Sequence, residues 1–509
     1  MKKKKDSSIE NELNMDREAS AQKTAEQNET PEQKKAQAKQ AKRFRARVMT
    51  ITWFFVSVFI AMSAYICYFA LTNEQELAEN PYNGFQLILM DQNARGRIYA
   101  AGGEVLAQTV TDQAGRETRI YPYGSLFSHV VGYATHGRAG IEAEMNYFLI
   151  QSNITLPQKA ANHERGIKNA GDSVQTTLRV DLQEVASKAL GVYKGAIIVS
   201  EPKTGRILAM VSKPDFEPAD IPLLWEDLVS STESSVLLNR VTQGLYPPGS
   251  TFKIITALAY IRENNLDMSS YSYNCTGHFT AEGIRINCFR GSSHGKVDFT
   301  QSFAKSCNAS FANIGLSLNE AAFREMLTEL LFDEALPFSL PYSRSSIVLN
   351  RDTTGAEMMQ ITIGQGKTQL TPLHLNMITG AIANNGILMQ PYLYDAVVDE
   401  NGNHVKTYSG NIAKKLITEA EAAMLRELME NVVETGTATR LKDVAYTAAG
   451  KTGSAEFGTV KGESHAWFTG YAPAENPEIC VTVIIEGAGS GGDYAVPIAK
   501  RIFDAAFEH

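Results

Sequence analysis

The chain has 509 residues, more than one domain usually holds, so two folded domains plus tails are expected. Its formal net charge is −8, and basic residues gather only in the tail ahead of one apolar stretch, which leaves no ground for a nucleic-acid-binding function. Its nine histidines are scattered without ligand spacing and no glycine-rich phosphate loop occurs, so no metal site, nucleotide site or other cofactor is expected. Residues 1–47 are polar, rich in Lys, Glu, Gln and Ala, and carry no apolar stripe wide enough to pack. They read as a disordered or transiently helical tail. Residues 48–71 hold no charged side chain and are long enough to cross a bilayer, which takes about 20 apolar residues. Lys39, Lys42, Arg43, Arg45 and Arg47 precede this stretch, and Glu74, Glu76 and Glu79 follow it. That bias places the N-terminus in the cytoplasm and exports the bulk of the chain. A cleaved signal peptide is the competing reading; the long polar tail and the lack of a small-residue cleavage site favour a single uncleaved membrane anchor.

Residues 72–170 show short β-like runs such as Gln86 to Met90 between polar turns, and read as a small β-rich pedestal. Gly171 to Leu178 reads as a strand entering a second domain, residues 171–509, and Asp181 to Val192 as the helix after it. Further on, Pro247-Pro248-Gly249 makes a turn. Thr251 to Ile261 then carries Phe252, Ile255, Leu258 and Ala259 at helical spacing, so Ser250 starts a helix and Lys253 shares its face. Phe299 to Ala304 reads as a helix running into a turn that holds Ser306 and Asn308. Lys451 to Glu456, His465 to Tyr471 and Ile479 to Ile485 read as three strands of an antiparallel sheet, and Tyr494 to Phe507 as an amphipathic helix that packs on it.

Three short motifs carry chemistry. Ser250-Thr251-Phe252-Lys253, Ser306-Cys307-Asn308 and Lys451-Thr452-Gly453-Ser454 occur in that order, and match the S-x-x-K, S-x-N and K-T-G boxes of serine enzymes that penicillin acylates. A serine hydroxyl needs an adjacent base to attack a carbonyl at neutral pH. Lys253 suits that role only when desolvated or close to other positive charge, including a helix N-terminus, which lowers its pKa. Ser306 is placed to relay a proton, and Asn308 to hydrogen-bond a substrate amide. Lys451, Thr452 and Ser454 offer charge and hydroxyls to a substrate carboxylate, while Gly453 permits close backbone approach. The N–H groups of Ser250 and Ser454 are the candidates for an oxyanion hole. Taken singly, each box has a bland reading: a capped helix with a surface lysine, a second helix cap, an edge strand with one lysine. Those readings do not explain three boxes in order.

On these boxes the chain resembles the class B penicillin-binding proteins, monofunctional D,D-transpeptidases that cross-link peptidoglycan. Gly195 to Val199 and Thr204 to Met210 resemble the hairpin that opens the transpeptidase domain. Leu238-Asn239-Arg240, Ile363-Gly364-Gln365-Gly366, Thr371-Pro372 and Val433 to Thr437 resemble recurring segments, and Arg95 to Tyr99 with Gly140-Ile141-Glu142 resemble the N-terminal module. The family usually continues with Asp-Arg-Asn-Gly where this chain has Ala100-Ala101-Gly102-Gly103, and threonine is commoner where it has Ser454.

The resemblance implies Ser250 as nucleophile, Lys253 as general base, Ser306 as proton shuttle, Asn308 as positioner of the donor stem peptide, and Lys451 to Ser454 as the carboxylate-binding strand. It implies a mixed α/β (α+β) fold with an antiparallel sheet and a helical insert, β-lactams as inhibitors that mimic the donor peptide, and a separate membrane glycan polymerase as partner. About 100 residues between the span and the second domain are too few for a polymerase domain. A D,D-carboxypeptidase or β-lactamase would use the same boxes with water as acceptor; a penicillin sensor, or a scaffold that activates a polymerase, would use the fold without transfer. Of the five cysteines, Cys67 lies in the span, Cys480 in a strand, and Cys307 reads as packing. Cys275 and Cys288 flank a possible hairpin and stand open between a disulfide and two free thiols.

Overall fold

A computed structural model describes residues 15, 17, 30–73, 84–230, 235–457 and 463–507. The chain divides into two units, residues 1–83 and 84–509. In the first, helix α1 (Pro31–Thr72) opens with a capping box in which Thr30 and Gln33 exchange hydrogen bonds. It is long and apolar enough to cross a membrane. Residues 31–47, expected in the irregular tail, continue this helix without a break, since Ala, Lys, Arg and Gln are strong helix formers and Pro31 sits where its missing N–H costs nothing. The remaining tail, apart from Met15 and Arg17, and the acidic flank at Glu74, Glu76 and Glu79 lie outside the described residues.

The second unit begins with α2 (Phe85–Gln92), where the apolar run Gln86 to Met90 had suggested β-structure. Leucine and methionine favour helix, and the run lacks the alternation of a strand. Strands β1 (Ile98–Tyr99), β2 (Val105–Thr111), β3 (Glu117–Ile120) and β4 (Ser173–Thr176) share a six-stranded sheet with two strands from far along the chain, residues 394–398 and 404–407. The sheet therefore runs across residue 170. Beside it, the buried Glu142 carboxylate lies 2.6 Å from Arg95 Nε and 2.7 Å from Arg119 Nε. Burial pushes its pKa up, but the two guanidiniums together outweigh this and hold it below the usual carboxylate range.

Helix α3 (Val180–Leu190) leads to the hairpin β5 (Gly195–Ser200) and β6 (Ile207–Lys213). Next come α4 (Lys253–Glu263), β7 (Tyr273–Cys275), β8 (Gly295–Val297), α5 (Phe299–Ala304), α6 (Asn308–Ser317) and α7 (Pro372–Ala383). The chain ends with β9 (Ala449–Glu456), β10 (Ser464–Ala472), β11 (Ile479–Ile485) and α8 (Val496–Phe507).

The main sheet is antiparallel in the order β9-β10-β11-β5-β6. The opening hairpin thus pairs with the last strand, Gly195 opposite Ile485. Every residue of β10, β11 and β5 is buried, which requires cover on both faces because successive side chains point to opposite sides. Helix α7, buried along its whole length, and the helices α3 and α8 supply that cover. The sheet is left with β9 as an edge, and on that edge the third box lies.

Candidate active site

Ser250 does not begin the α-helix as expected. Gly249–Phe252 form a 3-10 turn, and Lys253 is the first residue of α4. The turn is fixed from several sides. Gly249 has φ +54 and donates its N–H to Gly364 O at 2.8 Å. A Cβ on Gly364 would fall 2.0 Å from Gly249 O, so only glycine fits there. Trp467 Nε1 donates to Pro247 O at 3.1 Å, while Tyr246 OH and Arg240 Nε reach Glu486 at 2.8 and 2.7 Å. Gly453 brings β9 against the same turn: a Cβ there would lie 3.0 Å from Pro248 O. Ser250 is half-buried at the edge of a cleft that Ser306, Asn308, Thr452 and Ser454 also line. The three boxes therefore meet in one place.

Lys253 is wholly buried. Its amine donates to Ser306 O at 2.7 Å, Ser306 Oγ at 3.2 Å and Asn308 Oδ1 at 2.7 Å. Three protons meet three acceptors, all on the second box, and the direct Ser250 contact expected from the helical spacing is not among these bonds. Lys451, also buried, donates to Ser306 Oγ and Thr452 O, each at 3.0 Å. Ser306 Oγ thus bridges the two amines. Phe311 lies under the Lys253 amine at 5.4 Å and Phe303 under that of Lys451 at 5.6 Å. Loss of water pushes the Lys253 pKa down to about 8. Burial lowers Lys451 as well, with the positive charge of Lys253 adding to the effect.

The second box departs from ordinary backbone geometry. Ser306 sits at φ +55, a left-handed conformation that costs an L-residue about 1 kcal/mol or more. Ser306 N–H to Phe303 O, Cys307 N–H to Ser302 O and the Lys253 bond to Ser306 O hold the turn in place. Asn308 is the first residue of α6 and donates to Asn287 O at 2.9 Å.

Two features escaped the sequence reading. Thr437 Oγ1 lies 2.5 Å from Thr452 Oγ1, which gives the Val433–Thr437 segment a contact with the third box. The second feature is a cluster of thiols and an imidazole that the sequence reading did not bring together. Cys275, Cys288, His294 and Cys307 bring four donor atoms within 4.8 Å of one another. All four fall within residues 275–307, and the hairpin between Cys275 and Cys288 folds them together. Cys275 and Cys288 are free thiols here.

Comparison with known proteins agrees with this geometry. The family described as penicillin binding protein transpeptidase domain matches residues 195–504, and the penicillin binding protein A dimerisation domain matches residues 95–174. The peptidoglycan D,D-transpeptidase PbpA of Mycolicibacterium smegmatis is 30% identical over 84% of this chain and 92% of its own length. The crystal structure of the D,D-transpeptidase domain of a peptidoglycan glycosyltransferase from Eggerthella lenta superposes with a TM-score of 0.74 at 30% identity, covering 82% of this chain and 99% of that one. The penicillin G acyl-enzyme complex of penicillin-binding protein A from M. tuberculosis superposes with a TM-score of 0.74 at 28% identity, covering 81% and 99%. With most of its length matched to the transpeptidase domain, the chain belongs to the penicillin-binding protein transpeptidase family.

Proposed function

We infer that this chain cross-links peptidoglycan stem peptides as a serine D,D-transpeptidase, with Ser250 as the nucleophile. One observation carries the reading: two buried amines meet at Ser306 Oγ in the cleft that Ser250 borders. Ser250 Oγ attacks the carbonyl carbon of the penultimate D-alanine and its proton passes to neutral Lys253. The amine is poised for this because burial lowers its pKa to about 8. The N–H groups of Ser250 and Ser454 receive the oxyanion. As the C–N bond breaks, the proton reaches the departing D-alanine amine through Ser306. Lys451, with the hydroxyls of Thr452 and Ser454, binds the terminal carboxylate, and Asn308 orients the stem-peptide amide. An acceptor amine then attacks the ester, and Ser250 recovers its proton.

A β-lactam enters as a donor mimic and stays as a slowly hydrolysed ester, as the penicillin G adduct of the mycobacterial relative supports. The run Lys39 to Arg47 ahead of the apolar part of α1 supports a single-pass anchor with a cytoplasmic N-terminus. The glycan strands come from a separate membrane polymerase on this reading. The test is intact mass of the full chain with penicillin G over time, beside S250A. A persistent adduct on the wild type alone supports the assignment. Rapid turnover would instead indicate a β-lactamase, and an adduct that survives in S250A would remove Ser250 from the role.

A further inference from the structure

We propose that Phe289 is a specificity-determining residue of the cleft, an aromatic wall that favours acyl donors with an apolar group one amide away from the reacting carbonyl. Among the described residues that line the cleft, Phe289 carries the one large apolar side chain; the rest are polar, charged or glycine. Its side chain is 46% exposed. Single exposed hydrophobics are common on a protein surface. This one stands inside a polar cleft beside the second box, where a bound donor would cover it.

A fixed turn presents the ring. Ile284–Asn287 form a strand, and Phe289–Gly291 the 3-10 turn after it. Cys288 N–H donates to Gly277 O at 2.9 Å, Gly291 N–H to Cys288 O at 2.8 Å and Ser292 N–H to Phe289 O at 3.2 Å. Gly277, at φ +96, lets the turn come close: a Cβ there would lie 2.9 Å from Gly291 O. Arg290 sets its guanidinium over the Phe289 ring, 5.1 Å from the centroid, which steadies the ring without covering it.

The side of the cleft follows from Asn308. Its Oδ1 accepts from Lys253, and one N–H of its amide donates to Asn287 O at 2.9 Å. An asparagine amide has a second N–H, which finds no partner among the described residues. That N–H serves the donor amide oxygen on the transpeptidase reading, on which this proposal rests. Phe289 follows Asn287 by two residues, so their α-carbons are at most about 7.6 Å apart. The ring therefore belongs to the wall that grips the donor amide. In a penicillin that amide joins the bicyclic nucleus to the variable side chain, which is benzyl in penicillin G. In a stem peptide it leads to the residue before the two alanines. Either group begins one bond beyond the carbonyl that Asn308 holds, within reach of an aromatic contact, for which ring centroids need only come within about 4.5–7 Å.

The test compares two penicillins on the full chain in detergent. One is penicillin G; the other is 6-acetamidopenicillanic acid, which keeps the amide and lacks the phenyl ring. Intact mass over time gives a second-order acylation constant for each, and their ratio is the readout. The wild type should favour penicillin G by about tenfold, the scale of one aromatic contact. F289A should bring the ratio to about one, and F289Y, which keeps a ring, should hold it near the wild-type value. A general disturbance of the fold by F289A would slow both penicillins together and leave the ratio standing, so the ratio separates a recognition wall from a structural prop. A wild-type ratio near unity, or a ratio that survives in F289A, overturns the proposal and leaves Ser250 as the nucleophile. No adduct from either penicillin on the wild type overturns both readings.

Discussion

The molecule buries charge in two places, and it does so in opposite ways. In the N-terminal module, Glu142 lies between Arg95 and Arg119, so each buried charge has a partner of opposite sign. In the cleft, Lys253 and Lys451 are as deeply buried but bond only to neutral oxygens. Neither has an acidic partner among the ion pairs of the described residues. The first arrangement holds structure together. The second keeps two amines where burial costs stability and lowers their pKa.

The largest expected effect tests whether the uncompensated site is the reactive one. S250A should lower acylation by a factor on the order of 10⁶, as loss of a serine nucleophile does elsewhere, with the melting temperature nearly unchanged; mass spectrometry and calorimetry read the two. K253M should slow acylation by about 10² to 10⁴ without lowering the denaturant midpoint, because it removes a desolvated amine. A clear loss of stability in K253M would break the contrast. E142Q should do the reverse and cost about 3–5 kcal/mol of stability by leaving two buried guanidiniums without their anion. Its acylation rate per folded molecule should stay at the wild-type value.

Dependence on pH sharpens the comparison further. On the proposed mechanism the neutral amine is the base, so acylation should rise about tenfold per pH unit below 8 and level off above it, as stopped-flow kinetics with a chromogenic β-lactam would show. Stability follows the same shift. The unfolded lysine holds its proton up to its ordinary value of 10.5 and the folded one only to about 8, so stability should climb with pH between these values. For Glu142, whose folded pKa is also lowered, stability climbs with pH too, but in the acid range: its contribution is complete above the ordinary carboxylate range and is lost as acid protonates it in the fold. Smallest of all, T437V should cost about 1 kcal/mol through the lost Thr452 bond, visible as a rise in KM for a donor peptide.

Much of the cleft was legible because its boxes are contiguous in sequence. Lys451 to Glu456 reads as a strand and forms one, Phe299 to Ala304 matches α5 at both ends, and the closing helix shows its stripe at Val496, Ala499, Ile502 and Phe503. What escaped depends on chain crossings that local pattern does not encode. Residues 394–407 join the N-terminal sheet, and no nearby residue announces it. Gln86 to Met90 reads as β-like from its apolar run alone, although its leucines and methionine favour the helix it forms. Cys307 reads as packing, and it is buried with its sulfur against Cys288. The left-handed turn at Ser306 was equally hidden, since serine is no marker of positive φ.

The pairing of Gly195 with Ile485 has a consequence for how the molecule is made. During synthesis the hairpin β5–β6 appears early, yet its partner strand β11 comes only after nearly the whole domain, and β9 with Lys451 is almost as late. Closing so long a loop is slow, and the early strand waits with an unpaired edge. Ser250 and Lys253 are therefore made long before the lysine that completes their cleft. A nascent or truncated chain carries Ser250 without its cleft, which is complete only when the sheet shuts.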